Sequence, residues 1–154
     1  MNSHYRVVVI GGGVVGTSVL YHLAKMGWSD VCLIERSVLT AGSSWHAAGG
    51  IHALNADPNI AQLQAYTIDL LSEIEKESGQ NIGLHMTGGL TMAGTPDRWE
   101  WLQSAYRTFQ SIGIDDCRLV SVEEAVELNP IMSGDGLLGG MWAAREGYID
   151  TTGT

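Results

Sequence analysis

Gly11-x-Gly13-x-x-Gly16 is the first pattern in this chain whose spacing has a chemical reason. Gly11 permits a tight turn out of a strand. Gly13 lacks a Cβ and lets backbone approach a pyrophosphate. Gly16 lets a helix pack close to the strand before it. Val14 and Val15 would offer helix N-terminal N–H groups, with partial positive charge, to phosphate oxygens. Glu35 lies 22 residues after Gly13 and can accept hydrogen bonds from ribose hydroxyls. Its charge would oppose a 2′-phosphate, although Arg36 beside it offsets that effect. The pattern predicts a dinucleotide site. It leaves NAD and FAD both open.

Those residues need a strand, a helix and a second strand to hold them. Tyr5 to Ile10 is a β-branched run that reads as a buried strand. Val15, Val19, Leu20, Leu23 and Met26 recur at helical spacing over 14–26, and Gly27 stops the helix. Val31 to Ile34 reads as the second strand. Strand, helix, strand with tight connections is a βαβ unit, which implies parallel pairing.

Residues 37–55 are small, polar and glycine-rich and read as a loop. Backbone N–H groups in such a loop can run along an extended ligand. Asp57-Pro58 starts a helix running to about Ser78. A glycine bend and a strand follow within 84–93. Thr95-Pro96 opens a helix with Trp99, Leu102, Tyr106 and Phe109 on one stripe. Arg118 to Val120 reads as a strand, and Ser121-x-x-Glu124 as a capping box ahead of a helix that Pro130 ends. Strands over 136–144 and 147–149 flank a turn at Arg145-Glu146. The expected organisation is a dinucleotide unit with its loop over 1–55, then helices and strands over 56–154.

Composition narrows the function. The 154 residues carry 8 Lys+Arg against 17 Asp+Glu, a net charge of −9, so nucleic acid and anionic membrane are excluded as partners. The first 50 residues hold three basic and two acidic side chains, so a phosphate site there meets no local repulsion. No apolar run approaches the ~20 residues of a membrane helix. Cys32 and Cys117 form no CxxC; Cys32 reads as a buried free thiol. No histidine spacing suits a metal. Asp115, Asp116, Glu123, Glu124 and Glu127 read as a solvated face, and Trp28, Trp99, Trp101 and Trp142 as packing or surface aromatics. A cytoplasmic protein is expected.

The segment from Leu39 to Gly50 narrows the reading further. Together with Gly11–Gly16, Tyr21-His-Leu-Ala-Lys25, Leu33-Ile-Glu-Arg36, Gly88-Gly-Leu-Thr91 and Gly147-Tyr-Ile-Asp150, it resembles the flavin-dependent amine oxidoreductases of the D-amino-acid-oxidase superfamily. Within that group it is most similar to the dimethylglycine and sarcosine dehydrogenases. The resemblance covers essentially the whole chain.

It implies an α/β fold: a Rossmann-like FAD-binding βαβ unit followed by α+β elements, incomplete relative to the family. It implies FAD as cofactor, with Gly42, Ser43, Ser44, Trp45, His46, Ala47, Ala48, Gly49 and Gly50 along the flavin side. It implies that His46 bonds covalently to the flavin ring; read as a lone histidine, it would merely hydrogen-bond in a loop. Trp45 reads as packing, and His52 as a polar loop residue. The implied reaction is oxidative N-demethylation of a small methylated glycine, with tetrahydrofolate used only by longer members. Family members are several times longer, so this chain is expected to be a portion inactive alone. No catalytic residue can be named within it. A non-catalytic nucleotide-binding or regulatory module and an NAD-dependent dehydrogenase portion are the alternatives. The oligomeric state is not legible.

Overall fold

The computed structural model describes residues 4–153. The chain forms two compact units. One runs through Gly49 and takes in the segment from Asp150; the other is Gly50–Ile149. The chain thus re-enters the first unit at its end, which the expected division at residue 55 does not capture.

The first unit is β1 (Val7–Ile10), α1 (Val14–Lys25) and β2 (Val31–Ile34). β1 and β2 pair in parallel, with Val7 opposite Val31 and Ile10 opposite Ile34. Gly27, at φ 86°, ends the helical path, and Trp28 N–H donates back to Leu23 at 3.0 Å. The Arg6 guanidinium lies over the Trp28 ring, 4.4 Å from its centroid.

The strand expected to be buried is not. Val7 and Val9 are half-buried, while Val8 and Ile10 are exposed, Ile10 to 85%. α1 has no buried residue, and Val15, Val19 and Met26 are exposed. Cys32 is only half-buried. The sequence reports that these residues are apolar; it does not report what covers them. Parallel sheets are normally covered on both faces. Val9 faces α1, where it neighbours Gly16, and Val8 and Ile10 alternate to the other face.

The second unit comprises β3 (Gly50–Ile51), α2 (Pro58–Ser78), β4 (Gly89–Ala93), α3 (Pro96–Ser111), β5 (Cys117–Val120), α4 (Val122–Leu128), β6 (Gly139–Ala143) and β7 (Gly147–Tyr148). The helices start where local chemistry dictates. Asp57 accepts from the Asn59 and Ile60 N–H groups at 2.8 and 3.1 Å, with Pro58 in the first turn. Thr95 caps α3 and Ser121 caps α4 in the same way. Gly79, at φ 68°, closes α2.

The sheet order is β4-β6-β5, antiparallel throughout. Leu102, Ala105 and Phe109 of α3 are buried, and Leu102 and Phe109 belong to one core cluster with Met141 of β6 and Cys117 of β5. Burial pushes the Cys117 thiol up to about 11, so it is inert at neutral pH. β7 does not form a hairpin with β6 across Arg145-Glu146. It pairs with the two-residue β3, and its Tyr148 exchanges backbone hydrogen bonds with His85 at 2.9 and 3.0 Å. Asp116 is not part of a solvated face, because it holds the Arg145 guanidinium together with Asp69. Glu124 pairs with Arg118.

Candidate functional site

β1 delivers the chain to Gly11, whose φ of 109° makes the turn that L side chains resist. Gly11 N–H donates to the Ile34 carbonyl at 2.8 Å, which ties the turn to β2. Gly16 then brings α1 against that turn. A Cβ there would strike the Gly11 carbonyl oxygen and lie 3.6 Å from Val9 Cγ1. A Cβ at Gly13 would lie 3.0 Å from Ser44 Oγ.

The N-terminus of α1 is open. Gly13 supplies no side-chain cap, and the first turn holds no acidic residue. Val14 N–H donates to Ser44 Oγ at 2.9 Å. The Val15 and Gly16 N–H groups have no protein acceptor among the described residues. Uncapped helix N–H groups facing a cleft are an anion site.

Glu35 follows β2 directly. Its Oε2 accepts from Gly12 N–H at 2.7 Å and its Oε1 from Ser37 N–H at 2.9 Å. The Gly12 bond is the main reason its pKa is lowered; those from Ser37 and Arg36 and the Arg36 charge add to it. The folded carboxyl therefore stays ionised to lower pH than the free side chain. What it contributes to loop stability is present above the ordinary carboxylate range and is lost as pH falls through the lowered value. Each oxygen keeps a further lone pair for a ligand hydroxyl. We expect Glu35→Gln to weaken FAD binding roughly tenfold at pH 7, the scale of one charge-assisted hydrogen bond. Titration by flavin fluorescence checks this, and unchanged affinity would remove Glu35 from the site.

These groups share one cleft of about 980 Å³ in the first unit. Gly11, Gly13, Val14, Val15, Gly16, Glu35 and Arg36 line it, as do Gly42, Ser43, Ser44 and Ala47. Trp45, His46, Ala48 and Gly49 are outside its lining, and Gly50 belongs to the second unit as part of β3. The cleft also takes in Val9, Ile10, Val19, Ser37 and Ala41, which motif spacing does not single out. For Val9, Ile10 and Val19 the sequence signal is apolar type alone, which does not tell a covered face from an open one.

The loop beyond Glu35 is held by bonds that enforce a strained backbone. Thr40 has φ 65°, rare for a β-branched residue. Its N–H donates to the Gly12 carbonyl at 2.9 Å and its carbonyl accepts from Trp45 N–H at 3.2 Å. Such a backbone costs about 1–3 kcal/mol and persists only where surrounding bonds enforce it. His46 Nδ1 is 2.9 Å from the Gly42 carbonyl oxygen. A carbonyl only accepts, so Nδ1 carries the proton there and the neutral ring keeps its lone pair on Nε2. Trp45 stacks tilted against His46 at 4.8 Å and is exposed rather than packed in a core.

The family model for FAD-dependent oxidoreductases (DAO) matches residues 6–153. The chain belongs to that family. It is 39% identical over 146 residues to the mitochondrial dimethylglycine dehydrogenase of Rattus norvegicus, covering 94% of this chain and 17% of that one. It is 36% identical over 150 residues to the mitochondrial sarcosine dehydrogenase of Homo sapiens, covering 97% of this chain and 16% of that one. Its fold matches the crystal structure of L-proline dehydrogenase from P. horikoshii with a TM-score of 0.89 at 24% identity, covering 99% of this chain and 40% of that chain. This chain thus spans about a sixth of the length of the curated relatives. The α/β architecture and the FAD-dependent oxidoreductase class expected from the sequence both hold. Among the described residues no group of His, Cys, Asp and Glu could hold a metal ion, and no helix is long and apolar enough to cross a membrane.

The open α1 N-terminus, the Gly13 cradle and the fixed Glu35 carboxylate fit an FAD dinucleotide. The N–H groups of Val15 and Gly16 would hold the pyrophosphate beside Val14, whose own N–H donates to Ser44 Oγ, and Glu35 would take the ribose hydroxyls.

Proposed function

We propose that this chain is the FAD-binding portion of an oxidoreductase that removes an N-methyl group from a small methylated glycine. The observation that carries the reading is the pair of unpartnered N–H groups at Val15 and Gly16, facing the same cleft as an ionised Glu35. That arrangement suits a pyrophosphate with a ribose at one end. The similarity to dimethylglycine and sarcosine dehydrogenases supports the substrate class. Bound FAD would take two electrons from the amine, and water would convert the oxidised N-methyl group to formaldehyde. The chain's own part is to bind the dinucleotide and fix its orientation.

His46 is the proposed covalent anchor for the flavin. Its neutral tautomer, with Nδ1 donating to Gly42, leaves Nε2 as a nucleophile. The remaining loop residues, Trp45, Ala48 and Gly49, are proposed to run along the flavin side, with Gly50 following them. The substrate-gripping residues are proposed to lie outside this chain, which matches the small share of the relatives that it spans. Tetrahydrofolate belongs to longer members in this reading. The cytoplasmic location stays a reading of the sequence; the two curated relatives are named as mitochondrial proteins, and cell fractionation decides.

The test loads the purified chain with FAD and denatures it in acid. Yellow colour should remain with the polypeptide, and His46→Ala should release it. Flavin that dissociates from the unaltered chain would end the covalent claim. Failure to bind FAD at all, with NAD bound instead, would end the whole reading.

A further inference from the structure

The loop that carries His46 is bonded to the glycine turn on both sides of Gly13. Thr40 N–H donates to the Gly12 carbonyl at 2.9 Å, and Val14 N–H donates to Ser44 Oγ at 2.9 Å. The second bond is the unusual one. A helix is normally capped by the side chain just before its first turn. Gly13 has none to offer, and the acceptor for Val14 comes instead from 30 residues away. Gly13 also leaves the room for it, since a Cβ there would lie 3.0 Å from Ser44 Oγ.

A hydroxyl has one proton to donate and lone pairs to accept with. Ser44 accepts from Val14, but its own proton meets no acceptor among the described residues. Ser44 lines the same cleft as Val15 and Gly16. Val15 is the next residue along the helix, so an anion at its N–H comes beside that hydroxyl. Ser44 is joined as closely to His46. The Ser44 carbonyl accepts from Ala47 N–H at 3.2 Å, which closes the turn around His46. Within the same turn His46 Nδ1 donates to the Gly42 carbonyl at 2.9 Å. Trp45 N–H donates to the Thr40 carbonyl at 3.2 Å, and the Trp45 ring leans on the imidazole at 4.8 Å. Ser44 stands between Gly42 and His46 in the chain. Releasing it loosens the segment whose closure brings Nδ1 to that carbonyl.

We infer that Ser44 is a positioning residue for His46: it ties the imidazole to the end of α1, and an anion held there tightens the tie through the free hydroxyl proton. An anion with no flavin attached should therefore act on His46. The anion arm rests on the proposed reading of the α1 N-terminus as the phosphate position. The link from Ser44 to His46 rests on the loop's own bonds. A ligand shifts such an equilibrium only by what it binds differently in the two arrangements. Here that difference is one hydroxyl contact, on the order of tenfold in the ratio of pinned to released loop.

The test is nitrogen NMR of the His46 ring in the 154-residue chain. It is run at about pH 8.5, where imidazoles are neutral, with inorganic pyrophosphate as the probe. The ring signals are assigned by their loss in His46→Ala, and their positions report the tautomer. In the unaltered chain Nδ1 should carry the proton. Pyrophosphate should move both ring nitrogens further toward that form, with the same midpoint as the Val15 and Gly16 amides. In Ser44→Ala the ring should relax toward a mixture of the two tautomers. At saturating pyrophosphate the two amides should still shift there, and the ring should not. Ser44→Thr keeps a hydroxyl and should restore both behaviours. A ring that answers pyrophosphate equally in Ser44→Ala senses the charge through space, and overturns the inference. So does a tautomer that Ser44→Ala leaves unchanged, or a ring that stays still in the unaltered chain while Val15 and Gly16 shift. Absence of any shift at those two amides counts against the phosphate reading instead, and the ligand-free tautomer comparison then still decides the Ser44 link.

Discussion

Gly16→Ala is expected to abolish useful FAD binding, with a loss of at least a hundredfold. The added Cβ would overlap the Gly11 carbonyl oxygen and sit 3.0 Å from the Gly11 carbonyl carbon. Both are backbone atoms, fixed by the Gly11 N–H bond to Ile34 at 2.8 Å, so no side chain can rotate away. α1 must instead move off β1. Overpacking of this kind costs about 1–3 kcal/mol in stability. The same movement draws the Val15 and Gly16 N–H groups out of the cleft. Two charge-assisted hydrogen bonds at about 1.5 kcal/mol each correspond to roughly a hundredfold in affinity. Gly94→Ala is the control: its Cβ would meet nothing closer than 3.9 Å. Circular dichroism reports the fold and flavin fluorescence the binding. A Gly16→Ala chain that binds FAD as tightly as the unaltered one would show that the close helix–strand approach is not what builds the site.

What the sequence disclosed and what it hid divide along a physical line. α2, α3 and α4 were legible because their starts are set within four residues, by Asp57-Pro58, Thr95-Pro96 and Ser121. The βαβ unit and Glu35 were legible because glycine spacing and strand length are local. The partner of β7 was not. Its ladder with β3 joins residues nearly a hundred positions apart and is two residues long. Asp116 looked like one more surface carboxylate because its partner Arg145 is 29 residues away. His46 was visible as a histidine, but the Gly42 carbonyl that sets its tautomer was not. Glu146 read as a turn residue, since only the tertiary fold reveals a carboxylate with no donor beside it. Trp45 was assigned to packing from its type alone, and an exposed position overturned that.

Phe109→Ala should be the most damaging core change, removing about 3–5 kcal/mol. Phe109 is 1% exposed and shares its cluster with Leu102 and Met141, each also at 1%. Small domains hold only about 5–15 kcal/mol in total, so the second unit would lose much of its margin. The first unit responds to different forces. Its large apolar side chains are at best half-buried, and Ile10 at 85% exposure has almost nothing to lose on truncation. Ile10→Ala should change its stability by less than about 0.5 kcal/mol. Ligand linkage should matter more there: FAD at a hundred times its dissociation constant adds about 2.7 kcal/mol. Hydrogen exchange separates the two effects. Phe109→Ala should speed exchange across β4, β5, β6 and α3, while FAD should slow exchange over Gly11–Gly16. If FAD protected the Phe109 core as strongly as the glycine loop, the two units would be one cooperative structure. If Phe109→Ala left the β6 amides protected, packing around α3 would not be what holds the second unit together.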